Sequence, residues 1–297
     1  MIEARDARVY RGRFAPSPTG ALHFGSLLAA IGSFVRARQH GGVWLVRIED
    51  IDPPREVPGA ARRILETLAA FGLESDEPVL WQRRRLAAYA EALGRLRAAG
   101  LAFPCWCSRS ALGPGGVHRA CVSPPDRTRA PAWRLRVAPG VVAFDDALQG
   151  RIVDEPARSC GDFVLQRADG PFAYQLAVVV DDAAQGITEV VRGADLLDST
   201  ARQILLQRAL GVPTPRYLHL PIAVDASGAK LAKSAGSIPV DPADPVPALR
   251  AALVALGLPA AAADGATVDA LLARAIAELD FTRLAGVRTV VAPATRS

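Results

Sequence analysis

Two stretches of the chain carry side chains whose types and spacing suit work on a phosphate. The first runs Arg13-Phe14-Ala15-Pro16-Ser17-Pro18-Thr19-Gly20-Ala21-Leu22-His23-Phe24-Gly25-Ser26. Residues 9–14 enter it and read as a strand. Leu27, Leu28, Ile31, Phe34 and Val35 leave it at helical spacing. A strand that turns tightly into a helix leaves backbone N–H groups free at the helix start. Those groups and the helix dipole attract phosphate, and glycine lets a ligand approach the backbone closely. His23 stands where an imidazole could donate to a phosphate oxygen. The same residues would also form an ordinary strand–turn–helix corner. The second stretch is Lys230-Leu231-Ala232-Lys233-Ser234. Of 35 basic residues only these two are lysine. In an arginine-using background, paired lysines point to a need for a compact ammonium rather than a planar fork. A solvated basic loop is the plainer alternative.

A different chemistry is written between residues 101 and 130. Cys105-Trp106-Cys107, a Gly/Pro loop at 113–116, His118 and Cys121 follow one another closely. Thiolates and an imidazole in a short loop-rich segment suit tetrahedral zinc. Such a knuckle has little core, so a metal would supply its order. Cys105, Cys107 and Cys121 are three expected ligands, and His118 is expected as the fourth. Three cysteines with water, or no metal, remain open. Cys160 lies far downstream and reads as a buried apolar thiol. Four cysteines in a chain of 297 residues do not make a disulfide framework.

The elements that must position these groups alternate between strand and helix. Residues 43–48 read as a buried strand ending in Glu49-Asp50-Ile51-Asp52. Acidic groups beyond the carboxyl end of a strand suit the ligand crevice of a doubly wound sheet. Asp50 and Asp52 would serve equally as caps of a following helix. Residues 56–71 and 86–99 read as helices. Residues 133–137, 141–144 and 163–165 read as strands, and 174–180 is ambiguous between strand and buried helix. Residues 189–192 read as a strand and 195–210 as a helix. Arg192 thus ends one strand and Arg13 the first. Two guanidinium groups converging on one pocket could each grip a carboxylate bidentately. A structural salt bridge with an acidic neighbour would explain either of them as well. Tyr174 could hydrogen-bond a ligand or simply pack. Residues 217–224 read as the last core strand, 239–247 as a linker, and 247–295 as helical with breaks at Pro259 and Gly265.

A hydrophobic content of 50% over 297 residues allows one large or two modest domains. Residues 1–13 are charged and carry no apolar signal segment. No apolar run approaches the roughly 18–20 residues that span a bilayer, so a cytoplasmic protein is expected, with no membrane partner. The net charge of +5 is compatible with nucleic acid but equally with a solvated arginine-rich surface. Arg83-Arg84-Arg85 could touch RNA phosphates or merely open an exposed helix.

His-Phe-Gly-Ser and Lys-Leu-Ala-Lys-Ser, in this order, resemble the HIGH and KMSKS signatures of class I aminoacyl-tRNA synthetases. The segments 13–20, Arg47-Ile48-Glu49-Asp50-Ile51-Asp52 and Val190-Val191-Arg192-Gly193-Ala194-Asp195-Leu196-Leu197 are similar to the glutamyl-tRNA synthetase group. The match runs from about residue 11 to 240. With the cysteine knuckle, and a chain ending soon after the lysine stretch, the whole resembles the glutamyl-queuosine tRNA(Asp) synthetases. That family places a tyrosine near the position of His118. The resemblance implies an α/β fold: a Rossmann-like doubly wound parallel sheet with an inserted zinc knuckle and a short C-terminal helical region. The halves of the catalytic domain would fall at 1–100 and 131–240, the insertion at 101–130 and the helical region at 241–297. Residues 174–180 would be helix.

The same resemblance implies ATP with Mg²⁺, L-glutamate, and tRNA(Asp) carrying queuosine as partners of a monomer. His23, Lys233 and Lys230 would be catalytic. His23, Gly25, Ser26, Lys230, Lys233 and Ser234 would face ATP, with Ser26 standing where the signature has its second histidine. Arg13, Phe14, Ala15, Pro16, Ser17, Glu49, Tyr174 and Arg192 would hold glutamate, Glu49 taking its ammonium. The expected reaction is formation of glutamyl-adenylate without tRNA, then transfer of glutamate to the queuosine base in the anticodon. A shortened glutamyl-tRNA synthetase charging a tRNA 3′ end is the alternative.

Overall fold

A computed structural model describes residues 9–113, 115–126, 128–225, 227–228, 240–264 and 267–292. Lys230, Lys233 and Ser234 lie outside the described residues. The chain opens with β1 (Arg11–Phe14), α1 (Phe24–Gln39) and β2 (Val43–Ile48). A 3-10 turn at Pro53–Arg55 leads to α2 (Ala60–Ala70) and β3 (Leu80–Trp81). After a second turn at Gln82–Arg84 come α3 (Leu86–Ala98) and β4 (Ala102–Cys105). Next are β5 (Ala132–Leu135), β6 (Val142–Asp146), β7 (Gly150–Asp154), α4 (Pro156–Ser159) and β8 (Phe163–Gln166). Then follow α5 (Tyr174–Ala184), β9 (Glu189–Gly193), a 3-10 turn at Ala194–Ser199 and α6 (Thr200–Leu210). β10 (Arg216–Leu220), β11 (Ile222–Val224), α7 (Pro245–Ala255), α8 (Val268–Glu278) and β12 (Thr289–Val291) complete the order.

The expected parallel sheet is present. β1, β2 and β3 pair in parallel, as do β9 and β10, with β6 parallel beyond β10 and β7 antiparallel at the edge. β1 and β9 meet where Thr188 N–H donates to Arg11 O at 3.0 Å. Two ladders, β3-β2-β1 and β9-β10-β6-β7, thus lie edge to edge through β1 and β9, and the order reverses between them. That reversal opens a crevice at the carboxyl ends of the strands. β2 is buried along almost its whole length, as a strand covered on both faces must be. α1 covers one face with Leu27, Leu28, Ile31 and Val35, and packs against α7 and α8. The buried leucines of α7 and α8 belong to the same apolar cluster as α1. A separate antiparallel sheet, β4-β5-β8, joins α3, α5 and α6 around a second cluster.

Several expectations shift. The helix expected from residue 56 starts at Ala60, because Pro58 and the left-handed Gly59 (φ 74°) set its beginning. Residues 174–180 are helix. The helix expected from residue 195 opens as a 3-10 turn. The strand expected over 217–224 is two strands, since Pro221 lacks the N–H to continue the ladder. β7 and β12 were not expected; β12 lies parallel to β11 within a region read as helical.

Candidate functional site

The crevice at the switch point is a cavity of about 820 Å³. Its wall brings together Arg13, Phe14, Ala15, Pro16, Ser17, His23, Gly25, Ser26, Glu49, Tyr174 and Arg192. These come from the ends of β1, β2 and β9, the start of α5 and the start of α1. The loop after β1 is tied to the end of β2 by Glu49 N–H donating to Pro16 O at 3.0 Å.

His23 is the N-cap of α1. Its ring turns back over the helix start. Ser26 N–H donates to Nδ1 at 3.3 Å, and Nε2 lies 3.0 Å from Ser26 Oγ. One of the helix-start N–H groups expected to be free is therefore capped by the imidazole itself.

The two arginines differ. Arg13 is buried and pairs with Asp182: Nε lies 3.1 Å from Oδ1 and Nη2 3.4 Å from Oδ2. This is the structural salt bridge that the sequence left open, although Arg13 also lines the cavity. Arg47, wholly buried, donates to Asp182 Oδ1 at 2.8 Å and to Gln185 Oε1 at 2.8 Å, and lies 3.5 Å from Glu49. Burial pushes the Glu49 carboxyl up to about 7, against the pull of Arg47 and Arg13. Asp182 stays below its ordinary value: burial opposes ionisation, but Arg13 and Arg47 outweigh it. Arg192, also buried, meets only neutral acceptors: His219 Nε2 at 3.0 Å, Gln203 Oε1 at 2.8 Å, Thr200 Oγ1 at 2.9 Å, Leu196 O at 3.3 Å and Tyr174 OH at 3.4 Å. Among the described residues no carboxylate reaches it.

Asp50 and Asp52 are not helix caps through their side chains. Asp50 accepts from Arg83 N–H at 2.9 Å and pairs with Arg83 Nε at 3.0 Å. Asp52 precedes the turn at Pro53–Arg55 without a capping bond and pairs with Arg55 and Arg167. Pro54 removes the N–H at the second position of the turn, and the Arg55 N–H donates to the backbone carbonyl of Asp52 at 2.9 Å instead. The sequence reading missed Arg47, Asp182, Gln203, Thr200, His219 and Asp146. One signal was available: Asp181-Asp182 ends an apolar run, where a carboxylate needs a partner. Asp181 is fully buried and accepts from Tyr89 OH at 2.6 Å, Gln82 Nε2 at 2.9 Å and Arg85 Nε at 3.0 Å.

A second cluster forms beside β4. One ligand-type atom each from Cys105, Cys107, His118 and Cys121 lies within 4.8 Å of all the others. His118 Nε2 stands 3.4 Å from Cys105 Sγ and 3.6 Å from Cys121 Sγ. Zinc–sulfur bonds of about 2.3 Å place tetrahedral ligands about 3.7 Å apart, so the donors fit one such ion. Asp162 Oδ2 lies 3.0 Å from His118 Nδ1, which aims Nε2 at the sulfurs. Arg134, buried, donates to Cys105 Sγ at 3.3 Å. Burial opposes ionisation of Cys107, but N–H donors of Ser123 and Val122 bring it down to about 6. Cys160 takes no part and stays half-buried against the second core.

No helix among the described residues is long and apolar enough to cross a membrane. The chain matches the family described as tRNA synthetases class I (E and Q), catalytic domain, over residues 9–130 and 128–255. It is 61% identical over 290 residues to the glutamyl-Q tRNA(Asp) synthetase of Xanthomonas campestris pv. campestris, covering 97% of each chain. Its fold is similar to the glutamate-tRNA synthetase of Elizabethkingia anophelis, with a TM-score of 0.80 and 25% identity over 97% of this chain and 68% of that one. A glutamate tRNA ligase from Elizabethkingia meningosepticum, solved in complex with its amino acid, gives a TM-score of 0.67 and 28% identity. That match covers 76% of this chain and 52% of the ligase, about half its length. The chain belongs to the class I tRNA synthetases of the E and Q group, in the branch whose members are called glutamyl-Q tRNA(Asp) synthetase.

Proposed function

We propose that the chain activates L-glutamate with ATP, without tRNA, and transfers it to the queuosine base in the anticodon of tRNA(Asp). One observation carries the amino-acid half of this reading: a buried Arg192, with no carboxylate partner among the described residues, faces the same cavity as Glu49. A ligand with a side-chain carboxylate and an ammonium satisfies both. The names of near-full-length relatives support the acceptor.

In the first step an oxygen of the glutamate α-carboxylate attacks the α-phosphorus of ATP. The bond to pyrophosphate breaks, and a mixed anhydride with AMP remains. Catalysis here is positioning together with stabilisation of charge on phosphate oxygens. Arg13, Arg192, Tyr174 and Glu49 orient the amino acid, with Phe14, Ala15, Pro16 and Ser17 forming its floor. The start of α1, with His23, Gly25 and Ser26, faces the phosphates. Lys233 and Lys230, with Ser234, meet the departing pyrophosphate. Mg²⁺ bound with ATP would offset phosphate charge. In the second step a hydroxyl of the queuosine cyclopentenediol attacks the activated carbonyl, an ester forms, and AMP leaves. Cys105, Cys107, His118 and Cys121 would hold a structural Zn²⁺, which would cross-link a segment poor in apolar core. The chain would act in the cytoplasm as a monomer. The test is transfer of labelled glutamate to tRNA(Asp) with and without queuosine. Labelling is expected only of the queuosine-containing tRNA, and equal labelling of both would refute the proposed acceptor.

A further inference from the structure

Arg192 is held by a line of buried groups that crosses the sheet. Asp146 closes β6, His219 lies in β10 and Arg192 in β9, and these strands are neighbours in the order β6-β10-β9. His219 and Arg192 are register partners. His219 Nδ1 lies 2.6 Å from Asp146 Oδ2, and Arg192 Nε donates to His219 Nε2 at 3.0 Å. None of the three is more than 5% exposed, and His219 is wholly enclosed.

Chemistry fixes the protons along this line. A guanidinium has donors only. His219 Nε2 must therefore offer its lone pair to Arg192, which puts the imidazole proton on Nδ1, donating to Asp146. A second proton on Nε2 would face the Arg192 N–H. Burial, aided by the charge on Arg192 and opposed by Asp146, holds His219 below its ordinary value. Asp146 is anchored in turn. Its Oδ1 accepts from the backbone N–H of Gln149 at 2.8 Å, Leu148 at 3.0 Å and His219 at 3.2 Å. The imidazole aligns the guanidinium and also keeps Asp146 one ring away. The charge on Arg192 is thus left for a ligand.

We infer that Asp146 and His219 are positioning residues for amino-acid selection, fixing the tautomer that orients Arg192 toward a side-chain carboxylate without neutralising it. This rests on the reading that Arg192 binds the substrate.

Asp146→Asn probes it most directly. One side-chain atom must face three N–H groups and the other the His219 Nδ1–H. Either orientation of the amide sets a donor against a donor, unless the imidazole changes tautomer and sets one against Arg192. In pyrophosphate exchange, the KM for glutamate is expected to rise about 10- to 100-fold while the KM for ATP holds, and the preference for glutamate over glutamine narrows. If that variant does not fold, the wild-type protein still answers. Imidazole ¹⁵N spectra, with His219 identified by loss of its signals in His219→Gln, are expected to show a neutral Nδ1–H ring at neutral pH. An Nε2–H or cationic ring would overturn the inference. Arg192→Gln separates the two levels. If it leaves the glutamate KM unchanged, the reading of Arg192 fails. If it raises that KM while Asp146→Asn lowers only the melting temperature, Asp146 and His219 are merely structural and the inference fails alone.

Discussion

Glu49 offers the sharpest test, because its stability and binding effects run in opposite directions with pH. The carboxyl is buried and held at about 7, against 4.5 for an ordinary glutamate. Burial is the main cause, reinforced by Asp182 and Asp181 and resisted by Arg47 and Arg13. A folded-state value above the unfolded one means that the folded state holds the proton more tightly. The corresponding stability is complete below 4.5 and is lost as pH rises through about 7. At full ionisation the loss is about 3 kcal/mol, of which about 2–3 kcal/mol falls between pH 5 and pH 8. His219 works the other way. Its lowered value gives stability that is present above the ordinary histidine range and lost as pH falls. A raw stability profile mixes the two. The difference between wild type and Glu49→Gln isolates the first, because glutamine does not titrate. Urea unfolding should show Glu49→Gln gaining about 2–3 kcal/mol relative to wild type on going from pH 5 to pH 8. In its proposed role, however, only ionised Glu49 receives the substrate ammonium. The wild-type KM for glutamate should therefore fall about tenfold from pH 6 to pH 8, and in Glu49→Gln it should be higher and flat. A wild-type KM flat over that range, together with a stability difference equal at both pH values, would refute the reasoning.

Asp182→Ala leaves Arg13 and Arg47 buried without their shared carboxylate, and is expected to lower unfolding stability by about 3–5 kcal/mol in urea. His118→Ala removes one of four donors from the cysteine cluster and is expected to lower bound zinc in elemental analysis. Unaltered metal content would move the ligand role to another group.

Much of the fold was legible because parallel strands covered on both faces must be apolar along their length. Residues 43–48 announce β2 in this way, with Arg47, next to its end, as the one charged exception. What the sequence could not show is where the partner of Arg47 comes from. Asp182 stands 135 positions on, at the end of a helix that approaches only once the sheet has formed. The cysteine cluster was legible because its four members fall within 17 consecutive positions. Asp162, which orients His118, lies 44 positions from it and carries no local signal. β7 is an edge strand with mostly exposed residues, so no apolar alternation marked it. His23 was recognisable by its place before α1. The turn of its ring onto Ser26 is a choice of rotamer, which spacing does not encode.

Arg13 and Arg192 looked equivalent in the sequence, each closing a strand at the crevice. The structure separates them by charge. Arg13 and Arg47 share the Asp182 carboxylate, and Glu49 lies 3.5 Å from Arg47. Arg192 is met by a neutral imidazole, an amide, a hydroxyl, a phenol and a peptide carbonyl. A buried cation with only neutral partners remains poorly compensated until an anion arrives. A substrate with an amide side chain would leave it so, whereas a side-chain carboxylate completes it. On the proposed reading of Arg192, rejection of the uncharged analogue would then need no steric barrier, because the unmatched charge is what the wrong substrate would fail to satisfy.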